Sequence, residues 1–241
     1  MPYLTLSEKI KNNIFRTKQE QKISSIFRYI LTISKYVVFV CDLEKWQKKV
    51  DISIVDGLSI EDVNSKNVKD INTFRGEKTL HNFIKFYEDN CLGVYAYFNG
   101  NVVGCQWAEF NNTKQYRISH EEVLLLPGEG AMWSGRVAND FRGKRIHSFF
   151  RNRLEERMKN LGCKILLSHN LENNESIILA NRRYLKTDFS SKAIMIKAIL
   201  NTVTFYKASD RWYLRLKMPR TNCKGFCIAW SKYAGIKLMR S

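Results

Sequence analysis

The 241-residue chain has no run of about 18 apolar residues, which argues against a membrane-spanning helix. Its N-terminus lacks the charged-then-apolar pattern of a secretory signal, so a cytoplasmic location is expected. The P-loop pattern G-x-x-x-x-G-K-[ST] is missing. Gly128, Gly130 and Gly135 have no Lys and hydroxyl residue in the required places, which excludes an ATP loop of that kind. Helix-turn-helix, zinc-finger and RNA-binding aromatic signatures are also missing, as are internal repeats and low-complexity tracts. Cysteine is sparse. Cys41, Cys91, Cys105, Cys163, Cys223 and Cys227 are scattered mainly among apolar residues, which suits reduced, buried thiols better than a disulfide framework. Cys223 and Cys227 form C-x-x-x-C without a second pair, so no metal is expected.

Acidic residues are scarce as well. There are 23 Asp and Glu against 40 Lys and Arg, a formal net charge of +17. Much of the excess lies at the ends. Lys9, Lys11, Arg16, Lys18, Lys22, Arg28 and Lys35 face only Glu8 and Glu20 before residue 40. From Lys207 to Arg240 the single acid is Asp210. Such a balance favours anionic partners: a phosphorylated cofactor, a sugar nucleotide, a membrane surface or nucleic acid.

Hydrophobic spacing from Leu6 to Ile33 predicts one or two amphipathic helices, followed by a β-rich run at Tyr36 to Cys41. A strand is expected at Ile52 to Val55, then helical segments at Ser59 to Asp70 and Glu77 to Glu88. Next comes a hairpin, Cys91 to Phe98 and Val102 to Phe110, turning at Asn99, Gly100 and Asn101. After a polar loop at Asn111 to Glu122, the stretch Trp133 to Leu161 reads as a buried strand, a basic glycine-containing turn and a long amphipathic helix. A strand at Lys164 to His169 and a helix near Glu175 to Leu185 complete this part. Strands are expected between Ala193 and Leu216, with a helical reading of Lys192 to Leu200 left open. These patterns suggest an extension (1–48), a main domain (49–216) and a basic C-terminal segment (217–241), packed on or trailing the domain.

A strand, turn and helix in that order can hold an anion. The first backbone N–H groups of a helix lack internal partners, and the helix dipole adds positive potential there. Arg142, Lys144 and Arg145 reinforce the preference. The turn Arg142, Gly143, Lys144, Arg145, Ile146, His147 resembles the Arg/Gln-x-x-Gly-x-Gly/Ala signature of the GNAT superfamily of N-acyltransferases, with Arg145 and His147 where the signature has its later glycines. Tyr184, Leu185, Lys186, Thr187, Asp188, Phe189 similarly resembles Tyr-x-Lys-Leu-Gly-Phe, with Asp188 in place of Gly. Leu126, Pro127, Gly128, Glu129 is similar to the lead-in of members from surface-polysaccharide pathways. The resemblance runs from about Val50 to Phe189. It implies an α/β (α+β) fold with a mixed, mostly antiparallel central sheet flanked by helices, its central strands splayed apart.

The resemblance also implies an activity: transfer of acetyl from acetyl-CoA to an amine by direct attack. Arg142, Gly143, Lys144, Arg145 and His147 would hold the pyrophosphate, and Val137 and Ala138 would pair with the pantetheine arm. Asn173 would touch the pantetheine, although Asn173 or Asn174 also suits a helix N-cap. Tyr184 would protonate the leaving thiolate, or serve as an ordinary half-buried aromatic. Glu129 is the candidate base, with His120, Glu121 and Glu122 in a loop that can line the acceptor pocket. Trp107 and Trp133 are expected to pack on the sheet, with stacking on a sugar or adenine as the alternative, and His169 at a strand end is open equally to a functional role and to that of a core histidine. The expected acceptor is a small anionic amine, for example a nucleotide-linked amino sugar, and the protein can sit peripherally at the inner membrane face. The alternatives are a longer acyl or aminoacyl donor on the same fold, and a non-catalytic basic module that binds nucleic acid or anionic membrane.

Overall fold

A computed structural model describes residues 31–47, 56–185, 190–198, 203–216, 226–232 and 235–240. The helices expected before residue 31 and the strand at Ile52 to Val55 lie outside these. The chain divides into two compact units, Tyr36–Ala193 and the flanking stretches Met1–Lys35 with Ile194–Ser241.

The central unit contains β1 (Leu31–Asp42, counted from Tyr36), β2 (Leu58–Asp62), a 3-10 turn (Val68–Ile71), α1 (Asn72–Arg75), α2 (Glu77–Glu88), β3 (Leu92–Phe98) and β4 (Asn101–Phe110). Then come β5 (Arg117–Ile118), β6 (Leu124–Leu125), β7 (Glu129–Val137), a second 3-10 turn (Asn139–Phe141), α3 (Ile146–Asn160), β8 (Ile165–Leu171) and α4 (Glu175–Leu185). Its sheet runs β1-β8-β7-β4-β3-β2. Every neighbouring pair is antiparallel except β7 and β8, which are parallel. This is the expected mixed, mostly antiparallel sheet with flanking helices. Two local expectations change. Leu31 to Ile33, read as the end of a helix, begin β1. Ser59 to Asp70, read as helical, opens with β2, because Leu58 to Asp62 pair with Phe98 to Val94 and the sheet's hydrogen bonds override weak local periodicity.

Strand alternation explains the two cores. In β3, Val94 and Ala96 face one side and Tyr95 and Tyr97 the other. The first side meets Ile146, Phe150, Leu154 and Met158, which recur every fourth residue and so form one stripe of α3. The second side meets Phe83 of α2 with Leu80, Ile84 and Tyr87, and buries Trp107 and Trp133 as expected. Asp62 receives Arg153 at 2.8 Å and Arg157 at 3.1 Å, tying α3 to β2. At the other end of the sheet, Val37 and Phe39 of β1 pack on Ile178 of α4.

The flanking unit contains β9 (Ser190–Ala198, from Ile194 onward), β10 (Val203–Lys207), β11 (Arg211–Leu216), β12 (Phe226–Ser231) and β13 (Gly235–Arg240). They pair in chain order as an antiparallel meander. Lys192 to Ala198 are therefore strand, which decides between the two readings left open. Tyr206 and Tyr213, opposite each other, stack at 5.5 Å. Part of the basic excess is structural: Arg211 is buried and grips Asp210 at 2.6 Å. The five described cysteines are buried and unbridged, as expected, and Cys223 lies outside the described residues.

Candidate active site

The site is organised by where β7 leaves β8. The two strands pair from Glu129 opposite Ile165 to Met132 opposite Ser168 and no further. Yet β7 continues to Val137 and β8 to Leu171. On its other edge β7 pairs with β4, and there Trp107 faces Trp133 while Cys105 faces Arg136. Two steps of β4 thus match three of β7. The extra residue is a β-bulge, and Ser134 takes the left-handed conformation with φ 54°. A bulge bends the strand that carries it. Immediately after Met132, β7 therefore turns from β8 and leaves an opening between two strands whose facing edges are not paired with each other.

Opposite the bulge lies Gln106. Its Nε2 contacts Met132 Sδ at 3.2 Å, while its Oε1 is buried without a hydrogen-bond partner. A Cβ at Gly135 would sit about 3.5 Å from Gln106 and His147, ordinary van der Waals contact, so these side chains flank the glycine closely. The opening thus offers an orphaned acceptor beside a strand residue that carries no side chain.

From Val137 the chain passes Ala138 and the second 3-10 turn into α3. Gly143 has φ 79° and Arg145 φ 61°, so the turn is left-handed at both places. Only Gly adopts this without steric cost. No side chain caps α3. Its first N–H groups, the exposed Arg142, Gly143, Lys144 and Arg145, and the helix dipole form a positive end. His147 adds no charge there, because burial and then Arg151 push its imidazole down to about 3. A cavity of 510 Å³ lies between Phe74 and Arg75 on one side and residues 136–140 on the other, and so includes Val137 and Ala138.

Behind this end, α3 carries two buried charges that the sequence reading missed. Arg151, 1% exposed, donates to Glu155 Oε1 at 2.9 and 3.1 Å and to Asn181 Oδ1 on α4. Glu155 Oε2 accepts from Trp46 Nε1 at 2.8 Å and from the Tyr184 hydroxyl at 2.7 Å. Arg and Glu four apart on a helix usually form a solvent-facing pair. The available signal was their position next to Phe150 and Leu154 on the apolar stripe. Tyr184 is buried, and burial followed by Glu155 raises its phenol pKa well above the ordinary tyrosine range. Its proton points at Glu155. Asn173 is exposed before α4. Asn174 accepts the Ile178 N–H on its carbonyl and the Ser176 hydroxyl on Oδ1, so it is Asn174 that starts the helix.

Glu129 sits at the paired end of β7. Its Oε2 accepts the Leu126 N–H at 2.9 Å, bracing the turn before the strand. Three residues separate it from Met132, about 10 Å along a strand. His120 comes closer to the opening: its ring stacks on Trp133, the first residue past the last β7–β8 pair, at 5.8 Å, and meets Phe86 edge-on at 4.9 Å. Burial lowers the pKa of His120. Glu121 and Glu122 share its loop, and His169 is half-buried with its ring 6.3 Å from Tyr36.

No protein-family model matches the chain, and no curated protein matches it. Similar solved structures exist at low identity. A Drosophila protein is 11% identical over 76% of this chain, which spans 57% of it, with TM-score 0.49. An aminoglycoside acetyltransferase from an uncultured soil metagenomic sample is 12% identical over 54% of this chain and 88% of its own, with TM-score 0.42. Glucosamine-6-phosphate N-acetyltransferase from Arabidopsis thaliana is 13% identical over 55% and 92%, with TM-score 0.39.

Proposed function

We propose that the chain is an acyl-CoA-dependent N-acyltransferase that moves an acetyl group to an amine by direct attack. The observation that carries this is the combination, along one strand and the helix that follows it, of a bulge, a divergence from β8 and an uncapped basic helix start. An extended arm with amide groups fits an unpaired strand edge, as a peptide does in strand addition. Gln106 Oε1 is an acceptor for one of its N–H groups. A pyrophosphate fits the positive start of α3, held by Arg142, Gly143, Lys144 and Arg145. His147, being neutral, serves through shape.

The acceptor amine must be uncharged to attack, and the thioester's sulfur leaves with the electron pair of the broken bond. The wall formed by Trp133, His120 and Phe86 is our candidate for the acceptor side. Glu129 acts from there only through water. For Tyr184 the hydrogen bond to Glu155 favours anchoring α4 to α3 over donating a proton to sulfur. The expectation of an anionic acceptor rests on the net charge of +17; Arg75 and Arg136 share the 510 Å³ cavity with Asp140.

The test is calorimetric titration with acetyl-CoA and CoA, followed by transfer assays on an amine panel that includes amino sugars and their nucleotide-linked forms. Stoichiometric binding with turnover is expected. Failure to bind either compound would refute the proposal, and binding without turnover would point to a non-catalytic module.

A further inference from the structure

Beyond the bulge, toward the C-terminal end of β4, three side chains of metal-ligand type converge. Cys91 stands just before β3, Glu109 near the end of β4, and His120 in the loop between β5 and β6. One donor atom from each lies within 4.8 Å of the other two. Leu92 pairs with Ala108, which sets Cys91 beside Glu109 across the ladder. Both are buried, at 6% and 2% exposure.

The arrangement is incompletely satisfied as it stands. Glu109 Oε1 accepts the His120 backbone N–H at 2.7 Å. Its Oε2 is buried and has no hydrogen bond; the Arg117 guanidinium lies 3.4 Å away. A buried carboxylate oxygen in that condition is costly. His120 Nε2 lies 3.4 Å from Asp89 Oδ2, the kind of carboxylate contact that orients metal-binding imidazoles. A 330 Å³ cavity, lined in part by Asp89, Asn90 and Arg117, reaches Glu109 of the cluster.

We propose that Cys91, Glu109 and His120 bind one thiophilic divalent cation of the zinc type, with water from the cavity in the fourth position. Thiolate, imidazole and carboxylate are a ligand set that zinc accepts, and a sulfur ligand disfavours magnesium and calcium. The charges close, since one thiolate and one carboxylate neutralise a dication while Arg117 and Asp89 offset each other. The bound ion would staple the loop after β4 to the head of β3 and so fix His120 against Trp133. The three ligands are far apart in sequence and form no motif.

Cobalt(II) titrated into the chelator-treated full-length chain should bind at one equivalent, show a thiolate charge-transfer band in the near ultraviolet, and be displaced by zinc but not magnesium. Cys91→Ser should abolish the band. Cys163→Ser, which alters a buried thiol outside the cluster, should keep it. Glu109→Gln and His120→Asn should each weaken zinc binding by more than about tenfold. In the unmodified protein, zinc should protect Cys91 from alkylation, as read by peptide mass, which needs no variant to fold. The absence of stoichiometric binding, a band that survives Cys91→Ser, or alkylation of Cys91 unaffected by zinc would each overturn the proposal.

Discussion

The two ends of β7 are built on opposite terms. From Glu129 to Met132 the strand is paired on both edges, and Gly130 is pressed so closely that a Cβ would meet Met158 and the Glu109 carbonyl oxygen. From Ser134 onward it is paired on one edge, bent by a bulge, and runs into a turn where a Cβ at Gly143 would meet nothing within 4 Å. One end leaves no room for anything but itself, and the other leaves backbone and charge available. Stability concentrated at the closed end and under α3 allows the open end to stay unsatisfied until a ligand arrives, which is how binding sites are commonly supported.

The sharpest way to break this contrast is to remove the support beneath the open end. Arg151→Met would leave Glu155, fully buried, as an unbalanced charge with only Trp46 and Tyr184 as donors. Loss of one partner of a buried pair costs about 3–5 kcal/mol, so urea denaturation should show a loss of that size. A variant within about 1 kcal/mol of the parent would mean that Glu155 is protonated or reaches water.

At the closed end, Gly130→Ala should cost about 1–3 kcal/mol through overpacking. Met158 Cε, 2.2 Å from the added Cβ, can swing aside, but the Glu109 carbonyl oxygen at 2.7 Å belongs to the paired backbone and cannot. Gly143→Ala at the open end has space and only the backbone penalty of φ 79°, about 1 kcal/mol. Equal unfolding midpoints for the two variants would erase the distinction between the ends.

Function should follow the reverse pattern. Arg142→Glu is expected to weaken acetyl-CoA binding about tenfold, as two reversed charge contacts across solvent would, with a smaller effect at high salt. The same reversal at exposed Lys66 should change binding little, and thermal stability should hold in both. If the two reversals weakened binding alike, the start of α3 would not be the anion site.

What could be read in the sequence divides along the same line. The β4–β3 hairpin, the strand entering a basic turn and α3 were legible because they rest on short-range signals: Gly100 between β-rich runs, and apolar residues at every fourth position. The divergence of β7, the bulge at Ser134, the orphaned Gln106 and the pairing of His120 with Trp133 depend on which strands become neighbours. No local pattern states that. Arg151 and Glu155 were missed for a related reason: an i,i+4 ion pair looks the same in sequence whether it faces water or, as here, α4. Tyr184 was picked out by its motif, but its partner Glu155 lies 29 positions away.

That partner gives the most discriminating prediction. Tyr184→Phe removes one hydrogen bond to Glu155 and leaves those from Arg151 and Trp46 in place. A hydrogen bond to a charged group is worth about 1.5–3 kcal/mol, and partial compensation by the remaining donors should bring the loss toward the lower end. If Tyr184 is an anchor, unfolding free energy falls by that amount while kcat stays within about twofold at a temperature where the variant is folded. A proton donor to sulfur would behave oppositely, with kcat lowered about a hundredfold or more and stability nearly unchanged. Its hydroxyl cannot serve both Glu155 and a leaving thiolate at once. Measuring kcat and unfolding on the same preparation therefore decides whether the supporting network ends at Tyr184 or extends into the chemistry.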